Sequence, residues 1–200
     1  REDAPGQRVR DDAEQRAEAL RDLRTGLERA SHLVEQLLAM ARLDAAPSAA
    51  RVEPVDLLAL AKTVIAEQAA IADARGIDLG LLPGDAVTVA GDPIELRALF
   101  GNLVDNALRY TPAGGQVDVA VRQASGEAVL EVRDTGPGVP VMERERVFDR
   151  FYRGSGTTAP GSGLGLAIVK QVADRHRARV CLGEPTDGPG LRIRVNFPLS

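Results

Sequence analysis

The 200-residue chain has no tryptophan, two tyrosines and four phenylalanines. Its interior must therefore be built from Leu, Val, Ile and Ala. A single cysteine, Cys181, excludes a disulfide or zinc framework within the chain and is compatible with a reducing compartment. Its apolar neighbours Val180 and Leu182 mark Cys181 as a core residue. A basic surplus is also lacking. The net charge is -4, which argues against nucleic acid as the main partner, because binding to a phosphate backbone usually needs an excess of Lys and Arg. No apolar run reaches the 18 residues that would span a bilayer, so any membrane attachment is expected through segments outside this chain. The charged start, Arg1-Glu2-Asp3, resembles neither a secretion signal nor an initiator, which suggests a piece of a longer protein. What remains is ordinary globular usage, 44% hydrophobic and 27% charged, enough for a packed core.

Residues 1–11 are polar and read as loose. From 12 to 44 the chain has no proline and one glycine, and apolar residues recur at Leu20, Leu23, Leu27, Ala30, Val34, Leu37 and Ala41. Steps of three and four in alternation are a coiled-coil seam, here three heptads long. The preferred reading is a long helix that buries this seam against other helices, a second subunit included. An amphipathic helix packed on its own domain is the plainer alternative. His32 falls outside the seam. Residues 45–50, with Pro47 and Ser48, read as a linker, so the expected domains are 1–50 and 51–200.

Beyond the linker, 51–54 looks extended and 57–75 reads as a helix ended by Gly76. Strands are expected at 77–82 and 86–90, separated by Pro83-Gly84-Asp85. A helix capped by Asp92-Pro93 should run to about Tyr110. Alternating segments at 116–122 and 128–133 around Ala124-Ser125-Gly126 read as a hairpin. A helix at 163–176 and a strand pair at 180–183 and 191–197 complete the pattern. Together these predict an α/β two-layer sandwich, about three helices covering a mixed sheet, preceded by the long N-terminal helix.

Three segments carry candidate chemistry. At about 100° per residue, Asn102, Asn106 and Arg109 share one narrow arc of the 93–110 helix, with Tyr110 at its edge. Amide oxygens suit Mg²⁺, a hard cation that keeps several waters, and a guanidinium can neutralise phosphate oxygens. Taken alone, a solvated polar stripe is the simpler reading. Asp134-Thr135-Gly136-Pro137-Gly138 follows an apolar strand, where Gly permits close approach of a ligand and Asp can accept from an exocyclic amine. A tight turn explains it equally well. Gly161-Ser162-Gly163-Leu164-Gly165-Leu166 opens a helix and exposes N–H groups where the helix dipole favours an anion. It is neither the Walker pattern, whose Gly-Lys-Ser/Thr is absent, nor the Rossmann pattern, which needs a further Gly and a preceding strand. Between the last two segments lie the aromatics of Phe148-Asp149-Arg150-Phe151-Tyr152-Arg153, able to anchor a loop. The small, polar stretch 154–160 after them reads as a lid or an ordinary surface loop.

In this order, the stretch from Asn102 through Thr111-Pro112, then 134–138, 148–153 and 161–166 resemble the N, G1, F and G2 boxes of the sensor histidine kinases of bacterial two-component systems. The flavour is that of proteobacterial quorum-sensing and polymyxin-response sensors. The resemblance covers about 51–200, and 29–44 is similar to the second helix of the family's dimerisation domain. It implies a GHKL (Bergerat-type) ATP-binding fold with ATP and Mg²⁺ as cofactors. Position by position, it implies Asn106 and Asn102 on Mg²⁺ and Arg109 on phosphate, these three being the catalytic set. Tyr110 would flank the adenine. Asp134 would accept its amino group, with Gly136 and Gly138 allowing approach. Phe151 and Arg153 would border the nucleotide, and Gly161, Ser162, Gly163, Leu164, Gly165 and Leu166 would form the glycine turn. Gyrase- and Hsp90-type relatives carry a Glu as water base where this chain has Asn102, which disfavours hydrolysis.

The resemblance further implies transfer of the ATP γ-phosphoryl to a histidine on the dimerisation domain, then to a response-regulator aspartate. It implies a homodimer through the dimerisation helices in the full-length protein and a cytoplasmic position within an inner-membrane sensor. The family's acceptor is a His followed by Glu or Asp. His32 precedes Leu-Val-Glu and His176 precedes Arg-Ala-Arg, so this chain should not phosphorylate itself. The second departure is Arg177-Ala178, where the family usually has Gly, which leaves the turn there in question. An ATP-driven clamp on the same fold, and a non-catalytic interaction module built on the coiled-coil helix, are the competing readings.

Overall fold

The computed structural model describes residues 52–154, 161–186 and 188–199, and in the N-terminal stretch 16, 20, 23, 26, 27, 30, 31, 33, 34 and 36–41. The chain divides into two compact units, Arg1–Ala41 and Arg42–Ser200. In the first, every described residue is helical. The seam residues Leu20, Leu23, Leu27, Val34 and Leu37 are exposed, while Gln36 and Met40 are buried. His32 and the linker at 45–50 lie outside the described residues. No described helix is long and apolar enough to cross a membrane.

The second unit has seven strands and three α-helices among its described residues. They are β1 (Glu53–Asp56), α1 (Leu57–Ala74), β2 (Asp78–Leu81), β3 (Thr88–Gly91), α2 (Pro93–Tyr110), β4 (Gln116–Ala124), β5 (Glu127–Asp134), α3 (Gly165–Arg175), β6 (Arg179–Gly183) and β7 (Leu191–Pro198). Five strands form a mixed sheet in the order β2-β4-β5-β7-β6, and β1 pairs with β3 in a separate two-stranded sheet. Only β2–β4 is parallel; the other pairings are antiparallel.

The first two helices start at side-chain caps. The Asp56 carboxylate accepts from the N–H groups of Leu58 (2.9 Å) and Ala59 (3.0 Å) and so begins α1. Asp92 does the same for Ile94 (2.8 Å) and Glu95 (3.2 Å), with Pro93 filling a first-turn position whose N–H needs no partner. Leu96, Leu99, Phe100, Leu103, Val104, Ala107 and Leu108 form the buried face of α2. The β4–β5 hairpin turns at Ser125 and Gly126, both with positive φ, the two-residue turn whose twist suits a hairpin.

The sheet alternates with period two. Val117, Val119 and Val121 of β4, Ala128, Leu130 and Val132 of β5, and Ile193, Val195 and Phe197 of β7 are all buried. The register sets Leu130 opposite both Val121 and Val195, so these side chains share the helix-covered face. The opposite face is ionic. Glu131 accepts from Arg122 and Arg194, and Asp118 from Arg133.

One detail differs from the sequence reading and two add to it. Cys181 is exposed, not in the core, because strand alternation turns it to the face opposite its neighbours Val180 and Leu182. The strands flanking Pro83-Gly84-Asp85 belong to different sheets. A Cβ at Gly84 would overlap the Val121 carbonyl, and Asp85 N–H donates to that carbonyl at 2.9 Å, so the chain is held on β4 as it leaves β2. The turn after α3 survives without its glycine. Ala178 N–H donates to Ala173 O (2.8 Å) and Arg177 N–H to Asp174 O (3.1 Å), the Schellman pattern, with Arg177 itself at φ 54°.

A left-handed backbone costs a non-glycine residue about 1 kcal/mol. Arg177→Gly should therefore raise unfolding stability by about 1 kcal/mol in urea titration, whereas an unchanged or lower stability would show that no strain resides at this turn.

Candidate functional site

The C-terminal turn of α2 is where the candidate segments meet. Gly136 lies so near it that a Cβ there would sit 2.8 Å from the Tyr110 carbonyl oxygen and 2.9 Å from Asp134 Oδ1. Gly161 lies against the Arg109 side chain, with a Cβ position 2.8 Å from Nη1. Gly163, at φ 70°, is packed on the backbone of Phe151 and Tyr152, and Phe151 N–H donates to Gly163 O at 2.9 Å. Segments 102–110, 134–138, 148–153 and 161–166 are therefore neighbours in space. At the other edge of the turn, Arg75 donates to the Arg109 carbonyl at 3.2 Å, supplying positive charge where the α2 dipole is negative.

Asp134 ends β5 and is buried. Its Oδ1 accepts from the N–H groups of Gly136 (2.8 Å) and Leu191 (3.3 Å), and no described donor reaches Oδ2. Burial pushes the Asp134 pKa above the ordinary carboxylate value, and the two backbone bonds only partly oppose it. The fold therefore holds an acceptor pointed at unfilled hydrogen-bonding capacity. Sequence reasoning missed what supports it. Gly190, buried at φ 139°, packs directly on the Asp134 carbonyl, and a Cβ on Gly138 would lie 2.8 Å from Gly190 O. The only signal was Pro189-Gly190 before the final strand, which reads as an ordinary turn.

On α2, Asn102 Nδ2 donates to Ala98 O at 2.8 Å, which orients its amide, and Arg109 is bridged to Asp105 at 2.8 Å. Asn106 is half-buried and has no hydrogen-bond partner among the described residues. An amide oxygen in that state is a suitable donor for a hard cation that takes its remaining ligands from phosphate and water. Among the described residues no cluster of three His, Cys, Asp or Glu side chains could hold a metal.

The remaining candidates divide by burial. Leu164 and Leu166 are buried, so they anchor the turn and leave only backbone for a ligand. Ser162 Oγ accepts from Leu164 N–H at 3.2 Å and shapes that turn. Phe151 departs from the expectation that the aromatics anchor a loop. It is 65% exposed and at φ 64°, because its backbone is committed to Gly163. Tyr152 does the anchoring instead, under the Arg146 guanidinium 4.5 Å from its ring centre. Arg153 is exposed, and residues 155–160 of the expected lid lie outside the described residues. A separate groove of about 550 Å³ is lined by Arg144, Glu145, Phe148, Asp149, Lys170, Val180 and Leu182.

Residues 91–200 match the family described as histidine kinase-, DNA gyrase B- and HSP90-like ATPase. The mycobacterial sensor histidine kinase MprB is 36% identical, with a TM-score of 0.65, covering 74% of this chain and 97% of that one. The chain belongs to the sensor histidine kinases. Sensor protein kinase PmrB of Pseudomonas aeruginosa is 43% identical over 189 residues, which are 94% of this chain and 39% of PmrB. This histidine-kinase chain thus spans about two fifths of that relative. Full-length ShkA, solved in complex with AMPPNP, is 30% identical, with a TM-score of 0.75, over 94% of this chain and 39% of ShkA.

Asp134 yields a prediction whose sign follows from its raised pKa. The folded state holds the Asp134 proton more tightly than the unfolded chain, so this group's ionisation costs stability as pH rises past the ordinary carboxylate range. In the ligand-free kinase chain, Asp134→Asn keeps the acceptor for Gly136 and Leu191 and removes the buried charge. Its melting temperature at pH 7.5 should equal or exceed wild type, while affinity for an adenine nucleotide drops at least about tenfold. A variant that melts lower and binds normally would contradict this reading.

Proposed function

We propose that residues 51–200 bind ATP with Mg²⁺ and present its γ-phosphoryl group to a histidine of a dimerisation domain, of which residues 1–50 are the second-helix part. The carrying observation is the contact of Arg109 with Gly161 and of Tyr110 with Gly136, which joins metal-competent amides, a buried adenine acceptor and a glycine turn at one helix end. Family membership and the AMPPNP complex of ShkA support the same reading.

In this mechanism Asp134 accepts the adenine amino group through Oδ2, and Gly136 and Gly138 keep side chains out of the ring's path. Tyr110 flanks the base. Asn106, with Asn102 beside it, holds Mg²⁺, and Arg109 carries positive charge to the phosphates. The N–H groups of Gly161, Gly163 and Gly165, which have no partner among the described residues, lie near the start of α3, whose dipole favours an anion. Phe151 and Arg153 border the site. When bound, Mg²⁺ would neutralise negative charge on the phosphoryl group being transferred. The bond from γ-phosphorus to the bridging oxygen of ADP breaks as a bond to an imidazole nitrogen forms. Neither His32 nor His176 has the family's acceptor context, so the nucleophile comes from the first dimerisation helix. Asn102 offers no base for water, which favours transfer over hydrolysis.

The exposed seam at Leu20, Leu23, Leu27, Val34 and Leu37 supports homodimerisation through that helix. A response-regulator receiver domain is the downstream acceptor, and the need for ATP puts the chain on the cytoplasmic side of an inner-membrane sensor.

The test mixes this chain, labelled ATP and Mg²⁺ with a separate polypeptide carrying the first dimerisation helix. Acid-labile phosphate should appear on that helix's histidine and fall at least about a hundredfold with Asn106→Ala. Absence of transfer by the wild-type chain, or transfer undiminished in the variant, would refute the proposal.

A further inference from the structure

His176 has no part in the chemistry above, yet both of its ring nitrogens are committed. The side chain is 7% exposed. Nε2 lies 3.1 Å from the Asp92 backbone nitrogen and accepts its N–H, so Nε2 carries a lone pair. Nδ1 lies 2.8 Å from the Val172 carbonyl, which can only accept, so Nδ1 carries the proton. These partners require the neutral Nδ1–H imidazole. Space for the ring is made by Gly91, where a Cβ would lie 2.7 Å from Cδ2 and 2.8 Å from Nε2.

The position of this clasp in the fold gives it leverage. His176 is the C-terminal cap of α3, and Asp92 is the N-cap of α2. At the other end of the pair, Gly161 meets Arg109, so the two helices run antiparallel, joined at the His176 end by this clasp and by the Arg175–Glu95 ion pair. An α-helix rises about 1.5 Å per residue and is stiff along its axis. Fixing the His176 end therefore fixes how far the glycine turn extends along α2. Three charged groups surround the ring. Glu95 is 3.8 Å from Nδ1, and Arg175 is bonded to Glu95 at 3.0 Å. The Asp92 carboxylate is already occupied by the Ile94 and Glu95 N–H groups. A proton on Nε2 would set two donors face to face at Asp92 and break the clasp.

We infer that His176 is a positioning residue of the nucleotide site, a neutral imidazole that holds α3 in axial register with α2 and so keeps Gly161, at the start of the glycine turn, against Arg109. This rests on the reading that nucleotide binds between those segments.

The test compares wild type with His176→Gln, whose amide oxygen can accept from the Asp92 N–H, and His176→Leu, which fills the space without an acceptor. Amide hydrogen exchange is followed without nucleotide. Affinity for a fluorescent ATP analogue with Mg²⁺ is measured at pH 7.5, at temperatures where each variant is folded by circular dichroism. His176→Leu should speed exchange at Asp92 and at 161–165 and weaken the analogue, each about tenfold, as expected for one buried hydrogen bond lost. His176→Gln, which keeps an acceptor for the Asp92 N–H, should retain wild-type exchange at 161–165 and wild-type affinity. If His176→Leu melts lower but keeps wild-type exchange at 161–165 and wild-type affinity, the residue is merely structural and the inference is overturned. If the analogue binds none of the three, the nucleotide reading fails. The exchange rates at 161–165 then decide the clasp alone: faster exchange in His176→Leu upholds it, and unchanged exchange overturns it.

Discussion

The approach of Gly136 to the last carbonyl of α2 is the constraint on which this structure turns. A side chain at that position would collide with the Tyr110 backbone and with the Asp134 carboxylate at once. Only a glycine lets the loop after β5 lie against the end of α2, and that contact brings a strand-borne acid beside a helix-borne row of amides. The same helix end receives Gly161 through Arg109 and is tied to α1 through Arg75. Three remote segments thus converge on one helical turn, and the sheet and helices serve to hold that turn still.

The helix-covered face of the sheet is saturated with Val, Leu and Ile, and α2 buries seven apolar side chains. Against that stable frame the site is not at its own energetic optimum. Asp134 is buried with one oxygen unserved by any described donor, and its ionisation is opposed by burial. Asn106 is an amide without a described partner. The buried charge of Asp134 costs stability in the ligand-free chain, and a ligand offering an amine would relieve it. Conformational strain at Phe151 belongs to the same region, whereas that at Arg177 does not touch the site and accompanies a turn that glycine would serve better.

Much of this was legible from residues alone, because local chemistry decided it. Asp92-Pro93 marks the start of α2, Ser125-Gly126 a two-residue hairpin, and the period-two segments at 116–122 and 128–133 the central strands. What was not legible depends on pairings distant in sequence. Nothing in 77–90 tells that its two strands enter different sheets, since that depends on Val121 receiving Asp85 across 36 positions of chain. Cys181 was misassigned because apolar neighbours in a strand lie on the opposite face, so similarity to its neighbours is the wrong test. In the site, the ordered motifs named the participating segments. Gly190 and Leu191, which support Asp134, gave no signal beyond a turn, and the exposure of Phe151 follows from a backbone bond to Gly163 that no local pattern encodes.

The account stands most directly on whether one ligand touches all these segments together. Titrating the isotope-labelled chain with Mg²⁺-AMPPNP and following backbone amide shifts measures this. Residues 102–110, 134–138 and 161–165 should shift along one saturation curve at one nucleotide per chain. Shifts confined to a single segment, or centred on the groove between Lys170 and Leu182, would contradict it.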